Sequence, residues 1–224
     1  MKVVAVISQK GGVGKTTLAT SLAVAAAREG KSVALLDLDP QATACFWSDR
    51  RKAAGGETEN PAVRDVNFNR LSYTLEALTK AGGDLAILDC PPVHRDIADA
   101  AIGAADLVLI PTRPEAFDLR ATTQTIRLVQ GLNKRPSVVL TFCPPAGAEV
   151  MQAREIIAKL GAELVPVAMH QRKAYARAQQ EGQTAQEYEP DGKAAGEIQQ
   201  LYDYSRIALY GVANGKKTQP RRRA

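Results

Sequence analysis

The stretch Ser8–Thr17, SQKGGVGKTT, decides the fold of this chain. Its last part, Gly14, Lys15 and Thr16, matches the end of the phosphate-binding pattern G-x-x-x-x-G-K-[ST]. Gln9 stands where that pattern has its first glycine, so the strict pattern fails at one position. The stretch still predicts a loop that binds phosphate, provided that a strand precedes it and a helix follows it.

Both flanks of the loop meet this requirement. The apolar run at 2–8, KVVAVIS, has the length and the Val and Ile content of a strand, and Thr17–Glu29 has apolar residues at helical spacing. A glycine-rich turn between a strand and a helix collects free N–H groups and the positive end of the helix dipole at one point. The pattern therefore predicts a nucleotide site, with an ordinary glycine turn as the alternative. Seven consecutive residues are predicted to hold the phosphates: Gly11, Gly12, Val13, Gly14, Lys15, Thr16 and Thr17.

The composition indicates one globular domain. The chain has 224 residues, enough for a single α/β domain with a large core, and 45% of them are hydrophobic. Its apolar runs are all shorter than the ~20 residues of a membrane span, and the first leads directly into the loop, unlike a signal peptide. Cys45, Cys90 and Cys143 have no C-x-x-C spacing, which predicts a cytoplasmic protein without disulfides or a zinc site.

Basic residues are concentrated in two places. The net charge is +5, from 29 basic and 24 acidic residues, and the segment 214–224 contains five of the basic residues and no acid. We therefore predict a neutral domain at 1–213, with 24 residues of each sign, and a disordered basic tail at 214–224. The second cluster, HQRKAYAR, contributes Arg172, Lys173 and Arg177 and contains no acid. Each cluster is a candidate contact for nucleic acid; a solvated face, or a tail that only aids solubility, is the alternative.

The rest of the chain alternates between apolar strand-like runs and helical patterns. Near-continuous apolar strands between helices predict a single doubly wound α/β domain, with a mostly parallel sheet and helices on both faces. The weakest predicted strand is 64–68, and the last is predicted at 162–169. Near the C-terminus the pattern favours helices at 175–181 and 194–211, with a loop at 189–196.

Three aspartates end apolar strands. Asp37 and Asp39 lie in LLDLDPQ, and Asp89 lies in LAILDCPP. Ligand sites of open α/β sheets lie at the carboxyl edge of the sheet, where such residues meet. A carboxylate at the position of Asp89 usually holds Mg²⁺ through its water shell, and the hydroxyl of Thr16 is expected to bind the same ion directly. A turn residue or a helix N-cap is the alternative for any one of the aspartates.

Four segments, in their order and spacing, resemble the ParA partition ATPases, which belong with MinD to the deviant Walker-A group of P-loop NTPases. The segments are KGGVGKTT, LLDLDPQA, LAILDCPP and ADLVLIPTRP, and the resemblance covers residues 1 to about 210. The segment 170–198 is also similar to the C-terminal part of small ParA proteins. Because the chain starts at its first strand, we expect the short class without an N-terminal helix-turn-helix.

The resemblance implies a Mg²⁺-dependent ATPase and gives roles to individual residues. In this group the first lysine of the loop, here Lys10, crosses the interface of an ATP-bound dimer and touches the partner's nucleotide. Lys15 then serves the β- and γ-phosphates of its own nucleotide, and Asp39 positions the attacking water. Asp37 and Asp89 support the shell of the Mg²⁺ ion. A lysine supplied in trans would stabilise charge on the transferring phosphoryl group only after dimerisation, as an arginine finger does elsewhere; a solvated loop lysine is the alternative for Lys10.

The resemblance also locates the adenine site. In this group the site is formed by the loop after the strand SVVLTF and by the loop around Pro166. Carried onto this chain, the resemblance places Phe142, Cys143 and Pro144 near the base. Many relatives carry an Asn or Asp near this point to read the base, whereas TFCPP offers no such side chain. Backbone groups are then the alternative means of recognition.

The function implied by the resemblance is ATP-driven segregation of a plasmid, a chromosome region or another cargo. An ATP-bound homodimer would bind nonspecific DNA through Arg172, Lys173 and Arg177, and a cargo-bound adaptor of the ParB kind would stimulate hydrolysis and release the dimer. We therefore expect a cytoplasmic, nucleoid-associated protein that does not bind membranes. The alternatives are a membrane-associated positioning ATPase of the MinD type, which needs a C-terminal amphipathic helix, and a metabolic P-loop enzyme of the same fold.

Overall fold

The computed structural model describes residues 1–56, 59–92, 94–145 and 147–211. Within these ranges, seven strands form one parallel sheet in the order β3-β2-β4-β1-β5-β6-β7. The strands are β1 (Lys2–Val6), β2 (Val33–Asp37), β3 (Ala62–Asp65), β4 (Leu85–Asp89), β5 (Leu107–Thr112), β6 (Pro136–Leu140) and β7 (Glu163–Leu164). The α-helices are α1 (Lys15–Arg28), α2 (Thr43–Ala53), α3 (Leu71–Lys80), α4 (Arg95–Ala104), α5 (Ala116–Gly131), α6 (Ala148–Lys159), α7 (Lys173–Gln180), α8 (Ala185–Tyr188) and α9 (Lys193–Tyr210). The basic tail predicted at 214–224 lies outside the described residues.

Alternation along the strands divides the core between the two faces of the sheet. Val4 and Val6 of β1 belong to the same buried cluster as Leu18 of α1 on one face. Ala5 of the same strand belongs to the cluster of the other face, with Ile102 of α4. The central strands are therefore buried on both sides, which explains their continuous apolar sequences. The prediction of a doubly wound parallel sheet with helices on both faces is confirmed.

The edge strand β3 differs from its prediction. It occupies Ala62–Asp65, whereas the sequence favoured 64–68. The side chain of Asn67 accepts a hydrogen bond from the backbone N–H of Asn69 and caps a 3₁₀ turn at Phe68–Arg70. A side chain that bonds to its own backbone in this way competes with a strand ladder, so the strand ends before it.

The opposite edge strand, β7, is shorter than predicted. It has two residues, Glu163–Leu164, instead of the predicted 162–169. Pro166 has no N–H group with which to continue a ladder. Beyond it, the backbone N–H of Met169 donates to the carbonyl of Leu140 at 2.9 Å, so this segment still follows β6 without being a regular strand.

The C-terminal helices follow the prediction except for one. The sequence analysis missed α8, whose start carries a capping box formed by Thr184 and Glu187. The helix predicted at 194–211 is present as α9 at Lys193–Tyr210, and its first turn, with Ala194 in the core, occupies the end of the loop predicted at 189–196. None of the described helices is long and apolar enough to cross a membrane.

Candidate nucleotide-binding site

The carboxyl edge of the sheet brings the glycine-rich loop and the strand-end aspartates together. β4 lies between β1 and β2, and the register pairs Asp89 with Val6 on one side and with Asp37 on the other. The loop follows β1 and leads into α1 at Lys15. Segments that are distant in sequence therefore meet at the edge where ligand sites of parallel sheets form.

Two glycines in the left-handed region shape the loop. Gly12 has a φ of 72° and Gly14 a φ of 87°, values that other residues rarely adopt. Gly14 is also the N-cap of α1 and offers no side-chain hydrogen bond, so the first N–H groups of the helix have no capping side chain. A phosphate can satisfy them, since free N–H groups and the helix dipole both favour an anion at this point.

Lys15 is buried at this helix start, with 7% of its surface exposed. Its Nζ donates a hydrogen bond to the backbone carbonyl of Lys10 at 3.3 Å. Burial lowers the pKa of the ammonium group, and the carboxylates of Asp89 and Asp39 partly offset that effect. A phosphate anion would stabilise this buried charge, so the environment of Lys15 suits the role toward its own nucleotide that the sequence suggests.

Lys10 has a different environment. Its ammonium group forms an ion pair with the carboxylate of Asp118 in the first turn of α5. The side chain of Lys10 is 41% exposed, whereas that of Asp118 is 1% exposed. Sequence reasoning missed Asp118, because its partner lies 108 residues away and no motif surrounds it. The contact of Lys10 with a second nucleotide across a dimer interface stays a prediction.

Asp37 has the environment of a helix cap. It is fully buried, and its Oδ2 accepts hydrogen bonds from the backbone N–H groups of Ala44 at 2.8 Å and Cys45 at 3.1 Å in the first turn of α2. Its Oδ1 accepts one from the N–H of Asp39 at 3.1 Å. Burial raises the pKa of Asp37, while these hydrogen bonds act in the opposite direction. The alternative that Asp37 caps a helix therefore agrees with the hydrogen bonds that it accepts from α2. The support of a Mg²⁺ shell by Asp37 stays a prediction.

Asp39 lies in the turn between β2 and α2. Its Oδ1 accepts a hydrogen bond from the backbone N–H of Gln41 at 2.9 Å, and its backbone carbonyl accepts one from Ala42 at 2.8 Å. Asp39 is partly exposed, unlike Asp37. A carboxylate fixed by such a turn yet reached by solvent can hold a water molecule, so the predicted role of Asp39 suits its position.

Asp89 is the buried acid that most needs a ligand. It is 1% exposed, and neither carboxylate oxygen has a hydrogen bond of good geometry with any described residue. Burial raises its pKa to about 7, although the nearby Thr16 hydroxyl acts against the increase. An unpaired buried carboxylate is costly, and oxygen atoms of this kind are the ligands that Mg²⁺ prefers. Asp89 and Thr16 thus fit a Mg²⁺ ion, which would neutralise charge on the bound phosphates.

The described residues contain no group of three or more His, Cys, Asp or Glu side chains placed to hold a metal.

A cavity of about 210 Å³ adjoins the loop and is a candidate site for the base. Gly14 and Thr17 line its phosphate side, and Phe142, His170 and Tyr175 line other walls. A larger cavity of about 420 Å³ lies beside the start of the loop, between α4 and α5, and does not include the residues at the α1 N-terminus. The smaller cavity is therefore the one that a nucleoside attached to the phosphates can enter.

The structure places one of the three predicted base contacts in the cavity lining and the other two outside it. Phe142 lines the cavity with a left-handed φ of 51°, and the guanidinium of Arg113 lies 4.5 Å from its ring centroid. Cys143 is buried in the core, where burial raises the pKa of its thiol to about 11. Neither Cys143 nor Pro144 lines the cavity, so of these three only Phe142 is placed to meet a base there.

The three predicted DNA contacts separate as well. Lys173 and Arg177 are exposed on α7, four residues apart and so on one face of the helix. Arg172 instead lines the cavity beside the loop and donates two hydrogen bonds to Glu197 of α9, at 2.9 Å and 2.6 Å. The segment carries no acid of its own, but the fold supplies Glu197 as a partner for Arg172. The contact of Arg172 with DNA stays a prediction.

A glycine loop that joins a central strand to a helix, with a buried lysine and a strand-end aspartate beside it, characterises P-loop nucleotide-binding proteins. Comparison with known families agrees: the model described as "CobQ/CobB/MinD/ParA nucleotide binding domain" matches residues 4–185. The chain belongs to this family, and the resemblance to ParA and MinD is confirmed. It is an ATPase of the ParA/MinD type, as the sequence analysis predicted.

Individual relatives show how far the similarity extends. The chain is 35% identical over 217 residues to the maintenance of carboxysome distribution protein A of Gloeobacter kilaueensis, with 92% of each chain covered. It is 33% identical over 189 residues to the chromosome-partitioning ATPase Soj of Thermus thermophilus, covering 71% of this chain and 75% of Soj. The septum site-determining protein MinD of Pyrococcus horikoshii, complexed with Mg-ADP, shares the fold with a TM-score of 0.74 and 20% identity, covering 91% of this chain and 95% of MinD. The predicted use of ATP and Mg²⁺ agrees with these relatives.

Proposed function

We propose that this chain is a partition or positioning ATPase that dimerises with ATP, binds nonspecific DNA as a dimer, and moves a cargo. One observation carries the proposal: a single loop holds a buried lysine at its own phosphate site and a second lysine, Lys10, whose side chain is ion-paired with Asp118 yet 41% exposed, so that another molecule can reach it. A P-loop enzyme that acts as a monomer needs Lys15 but has no use for Lys10. The relatives named for carboxysome distribution and chromosome partitioning support the same class of function.

The cycle follows from the chemistry of the site. ATP and Mg²⁺ bind at Lys15, Thr16 and Asp89, and two such molecules associate face to face. Lys10 of each protomer then stabilises charge on the phosphates of the other, as an arginine finger does, and Asp39 orients the attacking water. Hydrolysis removes the phosphate that joins the two protomers, so the dimer separates.

DNA binding depends on the exposed face of α7. Lys173 and Arg177 offer two cations per protomer, which is too few for tight binding by a monomer. A dimer presents two such faces to one duplex, and the second contact becomes intramolecular. Affinity for DNA should therefore require ATP, ignore sequence and fall with salt. A cargo-bound adaptor of the ParB kind would then release the dimer by stimulating hydrolysis.

The MinD-type alternative needs an amphipathic helix for the membrane. Ile198, Leu201 and Tyr202 of α9 are buried in the core, whereas Ile207 and Tyr210 near the end of the helix are exposed. The three buried residues are not available to a lipid surface, and the two exposed ones form a small apolar area, so we place this alternative second.

The proposal is tested by measuring molar mass with light scattering and DNA binding in parallel, with ATP, ADP or no nucleotide and with Mg²⁺. Only with ATP do we expect a dimer that binds DNA. With ADP or without nucleotide, we expect a monomer that does not bind DNA. A monomer in every state would contradict the dimer mechanism. Dimers that leave DNA free but sediment with anionic vesicles would instead support the membrane-associated alternative.

A further inference from the structure

One carboxylate, that of Glu197, binds the three residues that form one wall of the cavity beside the loop: His170, Arg172 and Tyr175. Glu197 of α9 has a side chain that is 9% exposed. It accepts hydrogen bonds from Nδ1 of His170 at 2.7 Å, from Nε and Nη2 of Arg172, and from the hydroxyl of Tyr175 at 2.8 Å. Burial by itself would raise the pKa of Glu197, but these hydrogen bonds outweigh it and lower the pKa. His170, Arg172 and Tyr175 all line the cavity.

The hydrogen bonds to Glu197 decide which polar atoms stay free. An ionised carboxylate can only accept, so Nδ1 of His170 carries a proton, and in the tautomer with this single ring proton Nε2 is left as an acceptor. Arg172 uses Nε and Nη2 on Glu197, and its Nη1 has no hydrogen-bond partner within the described part of the chain. The wall therefore offers one fixed acceptor and one fixed donor from residues that are two positions apart.

This wall is connected to the phosphate end of the site. Nε2 of Gln179 in α7 donates to the hydroxyl of Thr17 in α1 at 3.0 Å. The strand-like segment at His170 also pairs with the segment after β6: the N–H of Cys143 donates to the carbonyl of Met169 at 3.1 Å, and the N–H of Gln171 donates to the carbonyl of Cys143 at 3.0 Å. A nucleoside that extends from the phosphates into the cavity meets Phe142 and this wall in a defined geometry.

We propose that His170 and Arg172, positioned by Glu197, recognise adenine. Nε2 of His170 accepts a hydrogen bond from the 6-amino group, and Nη1 of Arg172 donates to an adjacent ring nitrogen. Adenine presents such a donor beside an acceptor, whereas guanine presents an oxygen at position 6, which would face the acceptor of His170. The pair supplies the base-reading side chains that TFCPP lacks, and it gives Arg172 a task at the nucleotide in place of DNA. The inference rests on nucleotide binding in this cavity and is independent of dimerisation and of DNA binding.

The test compares binding of two nucleotides to the full chain by isothermal titration calorimetry with Mg²⁺. One is ATP, and the other is purine riboside triphosphate, which has hydrogen in place of the 6-amino group. We expect the wild type to bind ATP roughly 3- to 10-fold more tightly, the value of one hydrogen bond. His170→Ala should bind the two nucleotides equally. A wild type without a preference, or a His170→Ala variant that keeps it, would overturn the assignment.

Arg172 and Glu197 give different signatures in the same assay. Arg172→Ala should weaken the binding of both nucleotides by about 10-fold and leave the ratio of their affinities unchanged, since both contain the ring nitrogens. Glu197→Ala frees His170 from its fixed orientation, so the ratio of the affinity for ATP to that for purine riboside triphosphate should fall toward one. Arg154→Ala, an exposed arginine of α6 outside the cavity lining, is the matched control and should bind both nucleotides like the wild type. Unchanged affinity in Arg172→Ala would contradict its contact with the base. Normal ATP recognition without an ATP dimer would refute the proposed function and leave this inference intact.

Discussion

The two ends of the nucleotide site are built in different ways. The phosphate end consists of the consecutive residues 8–17, whose N–H groups and Lys15 converge because one loop joins β1 to α1. The proposed base end combines Phe142 after β6, His170 before α7 and Glu197 on α9. A site made by one loop can be recognised in a short stretch of sequence, whereas a site made by three distant segments cannot. Single substitutions at the phosphate end should therefore cause large losses of nucleotide binding, and single substitutions at the base end smaller ones.

The largest expected effect tests the phosphate end. Lys15→Ala removes a buried cation from the phosphates, and we expect no measurable binding of ATP, a loss of at least about 2–5 kcal/mol. Equilibrium binding of a fluorescent ATP analogue checks this result. Lys80→Ala, an exposed lysine of α3, is the control and should bind normally. If Lys15→Ala bound ATP within a few-fold of the wild type, the phosphate end would not dominate affinity.

A second prediction separates the two lysines of the loop. Lys10→Ala should still bind ATP but should neither dimerise nor turn over, with a loss of about 1,000-fold in the rate, the lower bound for an arginine finger. Phosphate release and light scattering in ATP measure the two effects. An ATP dimer of normal stability would show that Lys10 does not act across the interface.

A third prediction concerns the catalytic water. Asp39→Ala should bind ATP and form the dimer, while hydrolysis falls by about 100-fold because the attacking water loses its acceptor. The dimer should therefore persist, which is the reverse of the outcome for Lys10→Ala. Single-turnover hydrolysis at the normal rate would remove Asp39 from the water-positioning role.

A fourth prediction tests the stability of the base end. Glu197→Ala leaves Arg172 and His170 without their acceptor, and we expect the free energy of unfolding to fall by about 1–3 kcal/mol. This loss is smaller than that for a fully buried ion pair, because the side chain of Arg172 is 28% exposed. Glu197 has a lowered pKa, so its contribution is complete above its ordinary pKa of 4.5 and is lost as the pH falls through the lowered value. Urea unfolding at pH 7 and pH 3 measures both effects. Glu76→Ala, from an exposed pair on α3, should cost only about 0–0.5 kcal/mol.

The smallest expected effect lies on the outer face of α7. Replacing Lys173 and Arg177 with alanine removes two phosphate contacts per protomer, so the slope of log affinity for DNA against log salt should decrease by about 2 per protomer engaged. Titration of the ATP-bound protein with duplex DNA at several salt concentrations measures this slope. The double variant of Lys80 and Lys159, exposed lysines of α3 and α6, removes the same charge elsewhere and should keep the wild-type slope.

The sequence located the central strands and the long helices, because their apolar patterns are local and strong. It misplaced the edges of the sheet, where Asn67 and Pro166 end the ladders through a side-chain bond and a missing N–H. It also found the phosphate loop and the strand-end aspartates. It did not find Asp118, whose ion pair with Lys10 forms only after α5 packs beside the loop.

Local backbone chemistry is what the sequence by itself determined about this protein. Gly12 and Gly14 permit the left-handed angles of the loop, and Lys15 follows them. The strand and helix patterns on either side leave one architecture for the phosphates. The tertiary structure alone decided how charged side chains are used. Arg172 is basic and free of acids in its own segment, yet the packing of α9 places Glu197 against it. Electrostatic pairing depends on distance in space, so no pattern within 170–177 could have separated Arg172 from its neighbours Lys173 and Arg177.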